Sequence, residues 1–301
     1  MNKMKFAQPD KDQVPTDWPY RKNSRIIEVD KIKWHVQIFK NNKKKQRPLF
    51  LLIHGTGGAV HSWKNIITPL FVNADLISID LPGHGFTYEK HENDYSLPRI
   101  TELLINLLNA LKIENLDKVV GHSAGAAIAI ELSLQTNLGK VNHIVGINPS
   151  LVPPPPIFNT LLNPIITPFV TAKSFTSLLS SITRNTTLVD NLLTSTGSEL
   201  NKDQKNLYKR IFQKNRHLNG SIKFMASTNL TELLLKTKNL KTSSTFIIGQ
   251  QDNWVKREPL LKILKQYFPS SKIIENIGGH LLHETYPEKI SEQILKASFI
   301  E

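Results

Sequence analysis

The sequence offers one strong candidate for a chemically active side chain. Residues 121–125 read GHSAG, which places Ser123 between Gly121 and Gly125. An apolar run precedes the serine and a segment with helical spacing follows it, as in a sharp strand-to-helix turn. Such a turn exposes the hydroxyl at the amino end of a helix, where the N–H groups and dipole favour negative charge, and leaves no room for bulky side chains two positions away. The pattern predicts a serine nucleophile for acyl transfer.

A serine hydroxyl needs a base to take its proton, and the base needs a group that fixes its tautomer. Asp252 comes just after the apolar run 244–250, where a buried strand would end. His280 follows another apolar run and two glycines, and a helix begins shortly after it. We therefore expect His280 to be the base and Asp252 to orient it. His283 is the competing base, disfavoured by its place in that helix.

Acyl transfer also needs donors for the developing oxyanion. The glycine-rich segment LLIHGTGGAVHSW, residues 51–63, follows a strand-like run and includes Gly55 at the turn. We expect the backbone N–H groups of Thr56 and Ala124 to form the oxyanion hole, with Gly57 as the alternative to Thr56. His54, which directly precedes Gly55, is expected to hydrogen-bond within the turn.

A second turn after a strand, DLPGHG at residues 80–85, carries Asp80 and His84. Both are interpreted as scaffold residues. The alternative is that His84 lines the entrance to the pocket.

These side chains need a parallel sheet to hold them. The chain opens with strands at 25–29 and 31–40, the second alternating apolar and polar residues as a half-exposed antiparallel strand does. Short apolar runs typical of parallel strands covered on both faces then follow at 48–54, 74–80, 117–122, 141–148 and 244–250. Helical spacing marks residues 97–112 and 124–136. This alternation predicts a doubly wound, mostly parallel sheet of about eight strands, with ligands outside the carboxyl ends of the strands.

The alternation stops between residues 151 and 230. This stretch opens with four prolines at 153–156, and its apolar, helix-like sequence is broken again by Pro164 and Pro168. We interpret it as a helical cap folding over the strand ends. The predicted organisation is an N-terminal extension (1–24), a core (25–150 and 231–301) and the inserted cap.

Composition narrows the chemistry. The 301 residues include no cysteine, which excludes disulfides, thiolate metal sites and a cysteine nucleophile. The formal charge of +13 suits an anionic partner, although lysines scattered over exposed faces also serve solubility. The densest basic run, residues 40–47, contains no aromatic residue, so a nucleic-acid partner is not expected. Without a secretory leader or an apolar spanning segment, we expect a cytoplasmic protein, with peripheral membrane contact as an option.

The same residues resemble the α/β-hydrolase fold superfamily over about residues 18 to 298. A narrower resemblance is to the magnesium-chelatase accessory proteins of bacteriochlorophyll synthesis, the BchO family. It is carried by DWPYRKNSRIIEVDKIKWHVQ, HGTGGAVHSW, DLPGHGFT, GHSAGAAIA, STGSEL and GSIKFMASTNL. The resemblance implies the positions Ser123, Asp252 and His280 for a catalytic triad, and a role in assisting magnesium insertion into protoporphyrin.

Two classes of function follow. The first is a serine hydrolase acting on an ester-like substrate, hydrophobic because the cap is apolar; other triad chemistries, such as C–C bond hydrolysis, stay open within it. The second is a non-catalytic accessory protein that holds a tetrapyrrole and contacts magnesium chelatase or a membrane surface. No cofactor is expected, and no metal site is apparent from the histidine spacing.

Overall fold

The computed structural model describes residues 9–10, 13–41, 43, 46–89, 94–135, 141–153 and 186–298. Nine strands run through these residues as one sheet. They are β1 (Ser24–Val29), β2 (Ile32–Phe39), β3 (Leu49–Ile53), β4 (Asp75–Ile79), β5 (Tyr88–Glu89), β6 (Lys118–His122), β7 (His143–Ile147), β8 (Ser243–Gly249) and β9 (Lys272–Asn276).

The strand order is β1-β2-β4-β3-β6-β7-β8-β9, with β5 paired to β2 off this path. The six strands from β4 to β9 in that order are parallel, whereas β1, β2 and β5 pair antiparallel. The predicted mostly parallel sheet is confirmed. Because β3 and β6 are neighbours in its middle, the turns that follow them meet at one edge.

Helices cover both faces of the sheet. On β3, Leu51 and Ile53 belong to a buried cluster with the helices Leu97–Ala110 and Ala124–Leu134. Phe50 and Leu52 belong to a second cluster with the helices Lys64–Phe71 and Pro287–Lys296. Alternate residues of one strand thus reach opposite cores, which explains its unbroken apolar sequence. The helices are α1 (Lys64–Phe71), α2 (Leu97–Ala110), α3 (Ala124–Leu134), α4 (Thr186–Ser195), α5 (Lys202–Phe212), α6 (Asn215–Ser227), α7 (Leu230–Lys236), α8 (Arg257–Tyr267), α9 (Leu282–Thr285) and α10 (Pro287–Lys296).

A third apolar cluster joins α4, α5 and α6 to the N-terminal segment. Trp18 is 2% exposed and packs edge-on against Phe86 with ring centroids 4.8 Å apart, while Leu193 and Tyr208 complete the same cluster. The segment before β1 is therefore packed against the helices that follow residue 186. The division into extension, core and cap stays a prediction, because residues 154–185, with Pro164 and Pro168, lie outside the described part of the chain.

Among the described residues, no helix combines the length and the apolarity needed to span a bilayer.

Candidate active site

Ser123 lies at the turn between β6 and α3. Its backbone has φ 52° and ψ −118°, an unfavourable conformation for a side-chain-bearing residue. The turn is closed by the Ser123 N–H, which donates to Ile147 O, and by the Ser123 carbonyl, which accepts from Ser150 N. The serine is half-buried, and Ser123 Oγ has no hydrogen-bond partner among the described residues.

Two glycines make this turn sterically possible. A Cβ at Gly121 would lie 2.3 Å from the carbonyl oxygen of Gly125, and one at Gly125 would lie 2.2 Å from that of Ile53. Both contacts are with backbone, which cannot swing away as a flexible side chain can. The close approach of β3, the elbow and α3 therefore depends on the missing side chains.

His280 and Asp252 form a buried hydrogen-bonded pair. His280 Nδ1 lies 2.7 Å from Asp252 Oδ2, and the two residues are 2% and 5% exposed. The other carboxylate oxygen, Oδ1, accepts from the backbone N–H groups of Trp254 and Val255. The carboxylate is thus fixed by its own loop and presents one oxygen to the imidazole. This arrangement keeps the proton on Nδ1 and leaves Nε2 as the basic atom.

His283 lacks such a carboxylate. It is fully buried against Trp63 and His122, and neither of its ring nitrogens has a hydrogen-bond partner among the described residues. Burial lowers the pKa of His283 to about 3. Of the two candidate bases, only His280 therefore has a group that orients it.

The loop that carries His280 is tied to neighbouring strand ends by residues that the sequence reasoning did not single out. The His280 carbonyl accepts from His122 Nε2 at 2.9 Å and from Asn148 Nδ2 at 2.8 Å. The His280 N–H donates to the Thr196 carbonyl. His122 occupies the unspecified position before the serine in the G-x-S-x-G pattern, and Asn148 directly follows β7. Their positions at strand ends are the only feature by which the sequence could have indicated them.

The turn after β3 lies next to the elbow. A Cβ at Gly55 would be 2.8 Å from Ser123 Cβ, and Thr56 and Gly57 line a cavity together with His280. Ala124 is the first residue of α3, where a backbone N–H has no intrahelical partner. The expected donors, at Thr56 or Gly57 and at Ala124, therefore flank the serine from two turns.

Apolar side chains form most of the remaining cavity wall. They are Leu192, Leu193, Tyr208, Phe212, Trp254 and Leu281. The cavity has a volume of about 30 Å³. Within the described chain no cationic side chain lines it. The wall suits an uncharged, apolar group.

His54 and Asp80 hold the turns that surround the site. His54 Nε2 accepts from Leu81 N at 3.1 Å, so Nδ1 carries the proton and donates to the Gly55 carbonyl at 2.8 Å. Burial lowers the pKa of His54, which keeps the ring neutral.

Asp80 Oδ1 accepts from Val60 N and Oδ2 from Phe86 N. Burial raises the pKa of Asp80, but its neighbours outweigh this effect and the pKa lies well below its usual range.

A second serine, histidine and aspartate form a continuous chain away from the elbow. His35 Nε2 lies 2.9 Å from Ser24 Oγ and His35 Nδ1 lies 2.7 Å from Asp80 Oδ2. All three residues are fully buried. They connect β1 and β2 to the turn after β4 and cannot meet a substrate.

His84 is also fully buried, packed edge-on against His217 and Phe224, and it is not among the described residues that line the cavity. The alternative that it lines the entrance is therefore wrong, because the turn folds its ring inward.

Among the described residues, no group of three or more histidine, aspartate or glutamate side chains has the arrangement of a metal site.

A family model described as the alpha/beta hydrolase fold matches residues 48–287. The chain belongs to the α/β-hydrolase fold family. Solved structures agree on the fold: this α/β hydrolase superposes on an enol-lactonase from Burkholderia xenovorans LB400 with a TM-score of 0.71, at 15% identity over 90% of this chain and 98% of the other. A hydrolase from Pseudomonas aeruginosa gives a TM-score of 0.71, at 16% identity over 91% and 97% of the two chains.

One relative matches this α/β hydrolase over almost its whole length. The magnesium-chelatase 30 kDa subunit of Rhodobacter capsulatus is 29% identical over 283 residues, which are 94% of this chain and 96% of that protein. This similarity supports the narrower resemblance that the sequence motifs indicated.

Proposed function

We propose that this α/β hydrolase is a serine hydrolase acting on an ester-like substrate with an apolar, uncharged acyl group. The hydrogen bond between His280 Nδ1 and Asp252 Oδ2 carries the proposal, because it supplies an oriented base. The strained turn at Ser123 supports it, since such a turn is typical of a nucleophile. Serine at this position argues against haloalkane dehalogenase or epoxide hydrolase chemistry, which would use a carboxylate nucleophile.

In this mechanism Ser123 Oγ attacks the acyl carbon while His280 Nε2 accepts the hydroxyl proton. The backbone N–H groups of Thr56 and Ala124 stabilise the negative oxygen that forms. His280 then returns the proton to the leaving alkoxide, which departs as an alcohol. Water attacks the acyl-serine with its proton going to His280, and collapse releases the acid and restores the serine.

The Ser123 hydroxyl makes no hydrogen bond with His280 among the described residues. Such contacts are often long in free enzymes and tighten when substrate binds. Trp254, whose ring centroid lies 5.4 Å from that of His280, lines the same cavity. It is 46% exposed, so it stands where a substrate would enter.

Labelling with a fluorophosphonate tests the proposal. The probe forms a covalent bond with an activated serine, so we expect one adduct, located at Ser123 by mass spectrometry. Ser123→Ala should abolish labelling, whereas Ser24→Ala should retain it because Ser24 is sealed in the core. Absence of an adduct on the folded wild-type protein would refute the proposal.

The similarity to the magnesium-chelatase 30 kDa subunit favours a second candidate, an accessory protein that binds a tetrapyrrole and associates with magnesium chelatase. The +13 charge would suit the carboxylates of such a ligand or a membrane face.

Titration with protoporphyrin, followed by absorbance and by tryptophan fluorescence, separates the two candidates. The accessory function predicts saturable binding that survives Ser123→Ala, with no adduct on the wild type. The hydrolase function predicts a serine adduct, and the protein should be folded whether or not protoporphyrin is present.

A further inference from the structure

Asn148 occupies an unusual place at the carboxyl end of β7. Its backbone has φ 42°, in the left-handed region, and its side chain is 1% exposed. The backbone N–H donates to Ile247 O of β8 at 2.8 Å, so the residue continues the ladder between the two strands. Asparagine tolerates this conformation better than most residues with a side chain.

The Asn148 amide connects two loops on opposite sides. Nδ2 donates to the carbonyls of Gly279 at 2.9 Å and His280 at 2.8 Å, and Oδ1 accepts from the Gly249 N–H at 2.6 Å. Gly249 is the last residue of β8 and lies three positions before Asp252. One buried side chain thus bonds the strand end that leads to the acid and the loop that carries the base.

The chemistry of this position is specific. An amide offers two donors and an acceptor in one plane. Here the donors and the acceptor all bond backbone groups for which no neighbouring strand supplies a partner. An aspartate would lose the donors. An aliphatic residue would leave the Gly249 N–H and the Gly279 carbonyl without their side-chain partner and the His280 carbonyl with His122 alone, which is expensive in a dry interior.

We propose that Asn148 is a positioning residue, whose amide sets the separation and orientation of the loops that bear Asp252 and His280. The inference rests on the proposed hydrolase function. Asn148 has no hydrogen bond to Ser123, so it acts through the two loops that carry Asp252 and His280. Since a displacement of about 1 Å at a reacting group can lower a rate about 100-fold, loss of this amide should reduce chemistry more than binding.

The test compares Asn148→Gly with a control that also loses buried amide hydrogen bonds. Asn148→Gly keeps the left-handed backbone and removes all three side-chain hydrogen bonds. Asn276→Ala is the control: Asn276 is 3% exposed at the end of β9, and its side chain exchanges two hydrogen bonds with Gln293 of α10 rather than with the loops that carry Asp252 and His280. Asn148→Asp, nearly the same shape, serves if the glycine variant does not fold.

The first readout is fluorophosphonate labelling of Ser123, resolved into the maximal rate constant and the half-saturating probe concentration. We expect Asn148→Gly to lower the maximal rate constant about 10- to 100-fold with little change in half-saturation, and to shift the pH at which labelling is half-maximal. Asn276→Ala should label at the wild-type rate despite a lower melting temperature. An Asn148 variant that labels as fast as this control would overturn the inference.

The second readout does not need catalysis. In ¹⁵N-histidine-labelled protein, the His280 Nδ1–H bonded to Asp252 gives a low-field proton resonance, assigned by its loss in His280→Gln. The resonance should shift or broaden in Asn148→Gly and stay unchanged in Asn276→Ala. If the wild type is not labelled at Ser123, the hydrolase proposal fails. An unchanged resonance in Asn148→Gly refutes the positioning role independently.

Discussion

The imidazole of His122 lies against that of His280, with ring centroids 4.8 Å apart and His122 Nε2 only 2.9 Å from the His280 carbonyl oxygen. Burial holds the pKa of His122 well below its ordinary value, so its ring stays neutral and Nε2–H is the donor. The residue before the serine thus helps to fix the backbone of the proposed base. One side chain at the end of β6 thus joins the turn that carries Ser123 to the loop that carries His280.

The carboxylate of Asp252 should matter to the reaction through the tautomer of His280. Asp252→Asn keeps Oδ1 as the acceptor for Trp254 and Val255, so the protein should fold. The new amide donor opposite Nδ1 would place the ring proton on Nε2, and labelling or ester turnover should fall about 10⁴-fold. Asp17→Asn, at an exposed carboxylate, is the control and should behave as wild type. Comparable rates in the two variants would contradict the assignment.

Helix α3 should not tolerate a side chain at Gly125. The Cβ of Gly125→Ala would lie 2.2 Å from the Ile53 carbonyl oxygen, so α3 must move away from β3. Overpacking of this kind destabilises by about 1–3 kcal/mol or more. Gly58→Ala is a graded comparison, because its nearest contact is 3.1 Å. Chemical denaturation should show the larger loss for Gly125→Ala, and equal losses would be inconsistent with the packing.

Buried neutral histidines should make the fold sensitive to mild acid. Burial lowers the pKa of His61, His84 and His283 to about 3 and that of His143 to about 4. The unfolded chain binds these protons near pH 6.5, so stability falls as the pH drops from about 6.5 toward 4, by up to about 1.4 kcal/mol per pH unit for each histidine. Melting temperatures measured between pH 7 and 5 should show this decline.

His61→Phe provides the control for that experiment. Neither ring nitrogen of His61 has a hydrogen-bond partner among the described residues, so an apolar ring of similar size removes one titrating group without breaking a bond. The variant should lose less stability than wild type between pH 7 and 5. If the melting temperature of the variant fell with pH as steeply as that of the wild type, folding would not lower the pKa of His61.

Glu284 should act in the opposite direction, lowering the stability of the fold as the pH rises. Tyr208 donates to Glu284 Oε1 at 2.6 Å, and burial raises the pKa of Glu284 to about 8. The unfolded chain releases this proton near pH 4.5, so the carboxyl destabilises the fold progressively as the pH rises from 4.5 to about 8. Glu284→Gln should therefore raise the melting temperature more at pH 9 than at pH 5. Exposed Glu288→Gln should give no such difference, and the same result for both would refute the prediction.

Much of the fold follows from local sequence. The apolar runs gave the parallel strands to within one or two residues, because buried strands need apolar residues on both faces. The helix expected over 97–112 ends at Ala110, since Lys112 adopts φ 57°. β5 was not predicted, because the two residues Tyr88 and Glu89 carry no periodicity. Its pairing with β2 is a property of the tertiary fold.

For the candidate site too, the sequence indicated some residues and not others. Motifs and positions after strands indicated Ser123, Asp252 and His280, and His280 Nδ1 lies 2.7 Å from Asp252 Oδ2. Nothing in the sequence indicated Asn148 or Glu284, because their partners are distant in sequence. The Tyr208–Glu284 hydrogen bond joins α5 to α9, and no local pattern encodes it.

The place of β9 at the end of the strand order has a consequence for biosynthesis. The elbow serine leaves the ribosome long before the loop that follows β9, and that loop carries the imidazole. A nascent or C-terminally truncated polypeptide therefore has Ser123 without His280. Under the proposed mechanism, the serine would become reactive only after β9 docks, so an incomplete chain would be inert toward acyl compounds.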